Sequence, residues 1–231
     1  MVFLVQKQCD APTVRSSFVA SRIRTMKTKQ TIAVIGATGK IGSALSKSLS
    51  AGGYRVLLCA SDEGKLGTLA TVIKDTDAKA DVDIVICPVN ASWEADVIIL
   101  AIPQTADAGV AESIKAVANQ KVVISISSPF DTSGNTVLTN NGSAAEQLQQ
   151  QLPNTKVVKA FHTAFAADLV TQAVAGQPVD VLLAANSAEA VETVAALVEA
   201  IGFRAVAVGD LQAGRMLEYD AVHGARIDLK A

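Results

Sequence analysis

Three glycines with regular spacing, Gly36, Gly39 and Gly42, directly follow a short apolar stretch, residues 32–35. In such a turn the first glycine permits a tight bend, the second lets the backbone approach a pyrophosphate, and the third lets the next helix pack closely on the sheet. Free N–H groups at the start of that helix would hold the phosphates. The pattern predicts a dinucleotide site; the alternative is a helix entry that needs glycines only for packing. The candidate contacts are Gly36, Ala37, Thr38, Gly39, Lys40, Ile41 and Gly42.

The end of the second apolar stretch carries Ser61 and Asp62, where a dinucleotide-binding protein reads the adenosine ribose. Asp62 lies 20 residues beyond Gly42, and an acid there can accept from both ribose hydroxyls of NAD. Ser61 and Thr38 could instead bind the extra phosphate of NADP, although no Arg is present to pair with it. The residues alone favour NAD slightly and leave NADP open.

A catalytic triad or metal site is not evident in the sequence. The chain has two histidines, and its three cysteines form no CxxC pattern. His162 ends an apolar stretch and is the candidate catalytic and cofactor-contacting residue; the alternative is a histidine with a purely structural role. Neither Tyr54 nor Tyr219 has a lysine four residues later, so the proton relay of short-chain dehydrogenases is absent. A catalytically silent dinucleotide sensor is therefore the second hypothesis.

Apolar, β-branched stretches alternate with Ala-rich helical stretches, which predicts a parallel sheet covered on both faces. The predicted strands are Thr31–Ile35, Tyr54–Ala60, Asp83–Pro88, Asp96–Ile102, Lys121–Ser125, Lys156–Phe161, Val179–Ala185 and Arg204–Val208. The predicted helices are Lys40–Ala51, Glu63–Lys74, Thr105–Asn119, Ser143–Gln151, Phe165–Ala175, Ala188–Ala200 and Leu211–Tyr219. Residues 131–143 are polar enough for a long loop.

Composition excludes several classes of function. The 231 residues carry a net charge of −2 and only 18% are charged, so no basic surface is available for nucleic acid. No apolar run reaches the roughly 20 residues of a membrane-spanning helix. The first 30 residues contribute +5, so residues 31–231 carry −7. Residues 1–30 are therefore interpreted as a basic tail, either a targeting segment or a wrong start before Met26.

Three motifs in the second half resemble the deazaflavin-dependent NADP oxidoreductase family, which is related to the cytosolic domain of ferric reductases and to pyrroline carboxylate reductases. They are the Ser-Ala-Ala-Glu of residues 143–146, the "VVKAFH" of residues 157–162 and the "VGDLQAGRMLE" of residues 208–218. The resemblance covers residues 31–220. It implies NADP as cofactor, a deazaflavin, flavin or other small electron acceptor as second substrate, a homodimer, and a cytoplasmic enzyme.

The same resemblance adds cofactor-binding positions. Ile102 and Pro103 match the loop that passes under the cofactor, and residues 160–162, including Ala160 and His162, match the segment that faces the nicotinamide. Two departures concern specificity. The family commonly has Ser-Arg after the second strand, where this chain has Ala60 and Ser61. The aromatic or charged residues that usually follow Pro103 in the family are Gln104 and Thr105 here.

The resulting prediction is an α/β protein with a Rossmann-type, doubly wound, mostly parallel sheet in a single domain, residues 31–220. A tail, residues 1–30, precedes this domain, and a short C-terminal extension, residues 221–231, follows it. The predicted activity is hydride transfer between a nicotinamide and a small acceptor. Such a reaction needs alignment rather than an acid or base.

Overall fold

The computed structural model describes residues 30–127, 142–161, 173–174 and 177–217. Its strands are β1 (Thr31–Ile35), β2 (Arg55–Cys59), β3 (Val82–Ile84), β4 (Val97–Leu100), β5 (Val122–Ser125), β6 (Lys156–Lys159), β7 (Ala173–Val174), β8 (Gln177–Pro178), β9 (Asp180–Ala185) and β10 (Arg204–Gly209). Its helices are α1 (Lys40–Ala51), α2 (Glu63–Thr76), α3 (Pro88–Glu94), α4 (Gln104–Ile114), α5 (Ala144–Gln151) and α6 (Ala188–Ala200).

Eight strands form one sheet in the order β10-β9-β6-β5-β4-β1-β2-β3. All neighbours are parallel except β6 and β9, which pair antiparallel. The chain leaves β1 in one direction to build β2 and β3, and β4, β5 and β6 lie on the other side of β1. This reversal of strand order produces a crevice at the carboxyl ends of β1 and β4, the usual ligand position in open α/β sheets.

Helices cover both faces of the sheet. Alternate strand residues point to opposite faces, so Val34 belongs to the core cluster that includes Leu45 of α1 and Leu197 of α6. Ile35 belongs to the cluster that includes Ile114 of α4 and Leu148 of α5. These six side chains are buried. The doubly wound, mostly parallel fold predicted from the sequence is confirmed.

The prediction is wrong at two places. The third strand ends at Ile84, and the unpredicted helix α3 begins at Pro88. The apolar residues 85–87 extend the strand pattern, but a proline at the first helical position starts a helix favourably because its missing N–H is not needed there. The predicted helix over residues 165–175 lies outside the described residues except at Ala173–Val174, which is a strand paired with Gln177–Pro178.

Smaller differences concern the ends of elements and a single aromatic residue. Helix α4 ends at Ile114 rather than at Asn119. Trp93 is 72% exposed. Its carbonyl oxygen accepts a hydrogen bond from Lys121 Nζ at 2.7 Å, so this lysine caps the end of α3. Among the described residues, no helix has the length and apolar character that crossing a membrane requires.

Candidate active site

The glycine turn has the strand–turn–helix context that the sequence predicts. Gly36 adopts φ +88°, and its N–H and that of Ala37 donate to the carbonyl oxygen of Cys59, at 2.7 and 3.1 Å. Gly39 N–H donates to Gly36 O at 3.0 Å, and Gly39 is the N-cap of α1. The turn is therefore tied to the end of β2 by its own backbone.

The free N–H groups lie at the start of α1. The first helical bond runs from Ser43 N–H to Gly39 O at 2.8 Å, and no side chain caps this end. Within the described part of the chain, the N–H groups of Thr38, Lys40 and Ile41 have no acceptor. The first turn holds no acidic residue, so the positive end of the helix dipole is available to an anion.

Ala37 has a different environment from its neighbours. Its side chain is fully buried among core residues and its N–H is already donated to Cys59. Thr38 is half-buried, whereas Gly39 and Lys40 are exposed. An anion can therefore reach the segment from Thr38 onwards, while Gly36 and Ala37 shape the turn beneath it.

The loop after β4 lies against the glycine turn. A Cβ added at Gly36 would stand 2.2 Å from Ala101 O and 2.9 Å from Ile102 Cγ2. Ile35 pairs with Cys59 on one side and with Leu100 on the other, so these strands end at the same level. The structure thus places Ile102 beside the turn, and Pro103 is the next residue in the chain.

The end of β6 lies farther along the same side of the sheet. Lys159 pairs with Ser125, and Ser125 pairs with Leu100, so Ala160 follows a strand three places from β1. Three strand spacings correspond to about 14 Å. Ala160 is buried, and the next residue, Phe161, has φ +51°. His162 lies outside the described residues.

Asp62 is the N-cap of α2. Its Oδ1 accepts from Lys65 N–H at 3.0 Å, and its Oδ2 lies 3.1 Å from Lys65 Nζ. The hydrogen bond from the Lys65 backbone holds the pKa of the Asp62 carboxyl below its ordinary value. Ser61 and Lys65 are both exposed beside it. The Lys65 ammonium therefore adds a positive charge near the end of β2 that was not among the predicted site residues. It could have been recognised in the sequence because Asp62 is a good N-cap residue and a lysine follows it three positions later.

The three motifs of the second half also come together. Glu146 and Ser143 form the capping box of α5, and Arg215 donates to both carboxylate oxygens of Glu146, at 2.6 and 2.7 Å. A Cβ added at Gly214 would lie 3.7 Å from Lys159 Cβ and Cγ. Residues 214–217 are helical, and they dock on β6 and on the start of α5.

Replacing Arg215 with Met should destabilise the fold in a pH-dependent way. The Arg215 hydrogen bonds lower the pKa of Glu146 from its ordinary 4.5, so their stabilisation is present above pH 4.5 and is lost as the pH falls through the lowered value. We expect the stability difference between wild type and Arg215→Met in urea to be larger at pH 7 than at pH 3.5. Lys115→Met, which removes another exposed cation, is the control and should show no such trend; equal differences at both pH values would contradict the assignment.

Two other clefts do not resemble active sites. They measure about 410 and 320 Å³ and open at the opposite end of the sheet, where strands β4, β5 and β6 begin. Both are lined by Lys156, which is paired with Glu189 at 2.6 Å. No group of three metal-ligating side chains occurs among the described residues.

The chain is similar to proteins of one known family. Residues 31–129 match the family model described as NADP oxidoreductase coenzyme F420-dependent. The F420-dependent NADP reductase of Methanothermobacter thermautotrophicus is 31% identical over 198 residues, which cover 81% of this chain and 84% of that protein. The enzyme of the same name from Methanocaldococcus jannaschii is 30% identical over 199 residues, covering 81% and 87%.

Solved structures show the same fold. A putative F420-dependent NADP reductase from Arthrobacter sp. FB24 superimposes with a TM-score of 0.70 at 23% identity, covering 82% of this chain and 89% of that one. A pyrroline carboxylate reductase from Plasmodium falciparum gives a TM-score of 0.54 at 13% identity, covering 78% and 57%. The family that the sequence motifs indicate is thereby confirmed.

Proposed function

Because this chain belongs to the family of coenzyme F420-dependent NADP oxidoreductases, we propose that it transfers a hydride between NADP and this deazaflavin coenzyme. The observation that carries the proposal is the start of α1, where three N–H groups have no protein acceptor at the crevice beside the β4 loop. No feature of the described residues or of these relatives favours a catalytically silent sensor.

The residues at the carboxyl end of the sheet would divide the work of binding. The N–H groups of Thr38, Lys40 and Ile41 would hold the pyrophosphate, since they combine free donors with the positive end of a helix dipole. Ile102 and Pro103 would support the cofactor between the phosphates and Ala160. Ala160 would face the nicotinamide, about 14 Å from β1 by strand spacing.

The reaction would require the protein mainly to align the two reacting rings. NADP and the deazaflavin supply the hydride donor and acceptor when they are bound. The chain would hold the two rings at near-attack distance and exclude water, and an acid or base is not required. Among the described ionisable residues at this end of the sheet, Asp62, Lys65 and Lys40 belong to its phosphate-binding half, and Lys159 and Asp107 are buried.

Lys65 would supply the positive charge for the 2′-phosphate of NADP. The Arg expected after the second strand is absent, but Lys65 Nζ lies 3.1 Å from Oδ2 of Asp62, the residue after Ser61, and partly neutralises its charge. A bound phosphate would compete with Asp62 for this flexible ammonium, whose side chain is 72% exposed. Asp62 would then remain the cap of α2 rather than the ribose reader of an NAD enzyme.

We expect Lys65→Met to raise the KM for NADPH about tenfold, because a charge-assisted hydrogen bond contributes about 1.5–3 kcal/mol. The KM for NADH should stay within twofold, since NADH has no 2′-phosphate. Lys74→Met, at the exposed far end of the same helix, is the matched control. A rise in the KM for both NADPH and NADH would show that Lys65 binds a part that the two coenzymes share. If neither KM rises, Lys65 does not bind the coenzyme.

We further propose that the enzyme is a homodimer that works in the cytoplasm. β10 is an edge strand whose Val206 and Val208 are only partly buried and pack in one cluster with Leu217; Met216, the residue before Leu217, is 68% exposed. A second copy would cover this apolar surface. The free thiols of Cys59 and Cys87 suit a reducing compartment. Light scattering after size-exclusion chromatography tests the dimer.

The proposed activity is tested by following NADPH oxidation with purified protein. We expect turnover with a deazaflavin acceptor that exceeds turnover with FMN or a ferric chelate by at least about tenfold, because specificity requires contacts to the acceptor itself. A reaction without acceptor controls for slow oxidation by dissolved oxygen. Tight NADPH binding without turnover on any acceptor would favour the sensor instead.

A further inference from the structure

A buried chain of hydrogen bonds crosses the carboxyl end of the sheet. Lys159 Nζ donates to the carbonyl oxygen of Ser127, and Ser127 Oγ donates to Asp107 Oδ2 at 2.5 Å. The three residues are 0%, 2% and 6% exposed, respectively.

Each member belongs to a different segment of the proposed site. Asp107 lies in the first turn of α4, the helix that begins directly after Pro103. Ser127 follows β5, and Lys159 is the last residue of β6. Ser127 Oγ also lies 3.5 Å from Ile102 O. The hydrogen bonds therefore fix the distances between the segments that follow β4, β5 and β6.

The chain on either side of Lys159 is also constrained. Phe161 is fully buried and adopts φ +51°, a conformation that is unusual for a bulky residue and tends to occur at functional sites. A Cβ added at Gly214 would make ordinary van der Waals contact with Lys159 Cβ and Cγ, at 3.7 Å, so this helical turn lies against the aliphatic stem of Lys159. Ala160 stands between these two fixed residues.

We propose that Ser127, whose carbonyl oxygen accepts from Lys159 and whose hydroxyl donates to Asp107, is a positioning residue that holds Ile102 and Ala160 as one rigid surface against the nicotinamide. This inference rests on the proposed function for the place of the nicotinamide. Hydride transfer is sensitive to such a surface, since a displacement of about 1 Å can reduce a rate about 100-fold. The N–H groups proposed to bind the pyrophosphate belong to other residues, so most of the affinity for the coenzyme should be independent of this network.

The test compares two serine-to-alanine variants of the same segment. Ser127→Ala removes the bond to Asp107, whereas Ser125→Ala, two residues earlier and also buried, removes a hydroxyl that has no partner among the described residues. NADPH is titrated into each protein, and the nicotinamide fluorescence gives both the Kd and the intensity and anisotropy at saturation. Single-turnover hydride transfer to a deazaflavin is measured at saturating NADPH.

For Ser127→Ala we expect an NADPH Kd within twofold of wild type, lower intensity and anisotropy of the bound nicotinamide, and a single-turnover rate reduced about tenfold. Ser125→Ala should match wild type in all of these. Lys159→Met, if its melting curve is cooperative, should act in the same direction as Ser127→Ala. Wild-type intensity and anisotropy in Ser127→Ala, or an equal loss in Ser125→Ala, would overturn the proposal. If wild type shows no turnover while the fluorescence difference is present, the proposed function fails and the positioning role stands.

Discussion

Replacing Gly42 with Ala should destabilise the protein by about 3 kcal/mol, because the added methyl group would have no space. An ideal Cβ at this position lies 2.2 Å from Gly36 O and 2.9 Å from the Gly36 carbonyl carbon. Both atoms are backbone, and Gly36 is itself held by its bond to Cys59, so the turn cannot move aside cheaply. Urea unfolding at pH 7 measures the effect, and NADPH binding should weaken as the turn distorts.

The control for this substitution is Gly67→Ala in α2. No atom lies within 4 Å of an added Cβ at Gly67, and Ala is better than Gly in a helix by about 1 kcal/mol. The same chemical change should therefore destabilise at Gly42 and stabilise at Gly67. Destabilisation of similar size at both positions would show that helix geometry in general, not the close approach of α1 to the turn, is responsible.

The sheet could be predicted from the sequence because each of its strands is a short apolar run bounded by turn residues. In a sheet covered on both faces, successive side chains of a strand pack against helices on opposite faces, so nearly every residue of a buried strand is apolar. The local composition therefore indicates which segments are buried strands. This logic fails at residues 85–87, which are apolar but follow β3 rather than extend it. There the helix-start signal of Pro88 outweighs the apolar pattern.

The site could be predicted only where its geometry is local. The glycine turn is formed by neighbours in sequence, and the capping box of Ser143 and Glu146 spans one helical turn. By contrast, Arg215 meets Glu146 across 69 residues, and the hydroxyl of Ser127 meets Asp107 across 20. Such pairs depend on strand order and register, which no local pattern encodes; the motifs that carry the family resemblance are recognisable without revealing that they touch.

Phosphate binding depends on residues that are neighbours in sequence, whereas alignment for hydride transfer depends on residues far apart in sequence. Phosphate binding uses the end of one helix, so it can be changed at one position without disturbing the sheet. The surface next to Ala160 depends on three segments joined through Ser127, so changes there should alter geometry before affinity. Substitutions at the two ends of the crevice should therefore separate binding from rate.

The clearest separation is expected from Gly39→Ser, which should abolish tight NADPH binding while leaving the fold at least as stable. Gly39 has φ −71° and ψ 167°, values that any residue can adopt, and an added Cβ would meet only Gly36 O, at 3.3 Å, at closer than ordinary contact. Serine is a better N-cap than glycine by a few tenths of a kcal/mol, because its hydroxyl accepts from the second or third N–H of the helix. Those are among the donors that the pyrophosphate requires, and the side chain would also stand where the phosphates approach. We expect the Kd for NADPH to rise at least about 30-fold in a fluorescence titration, with an unchanged or slightly higher urea midpoint.

Gly109→Ser, at an open position of α4, serves as the control and should leave the Kd unaffected. Tight binding by Gly39→Ser would place the pyrophosphate away from the start of α1 and, with it, remove the basis for the proposed cofactor site.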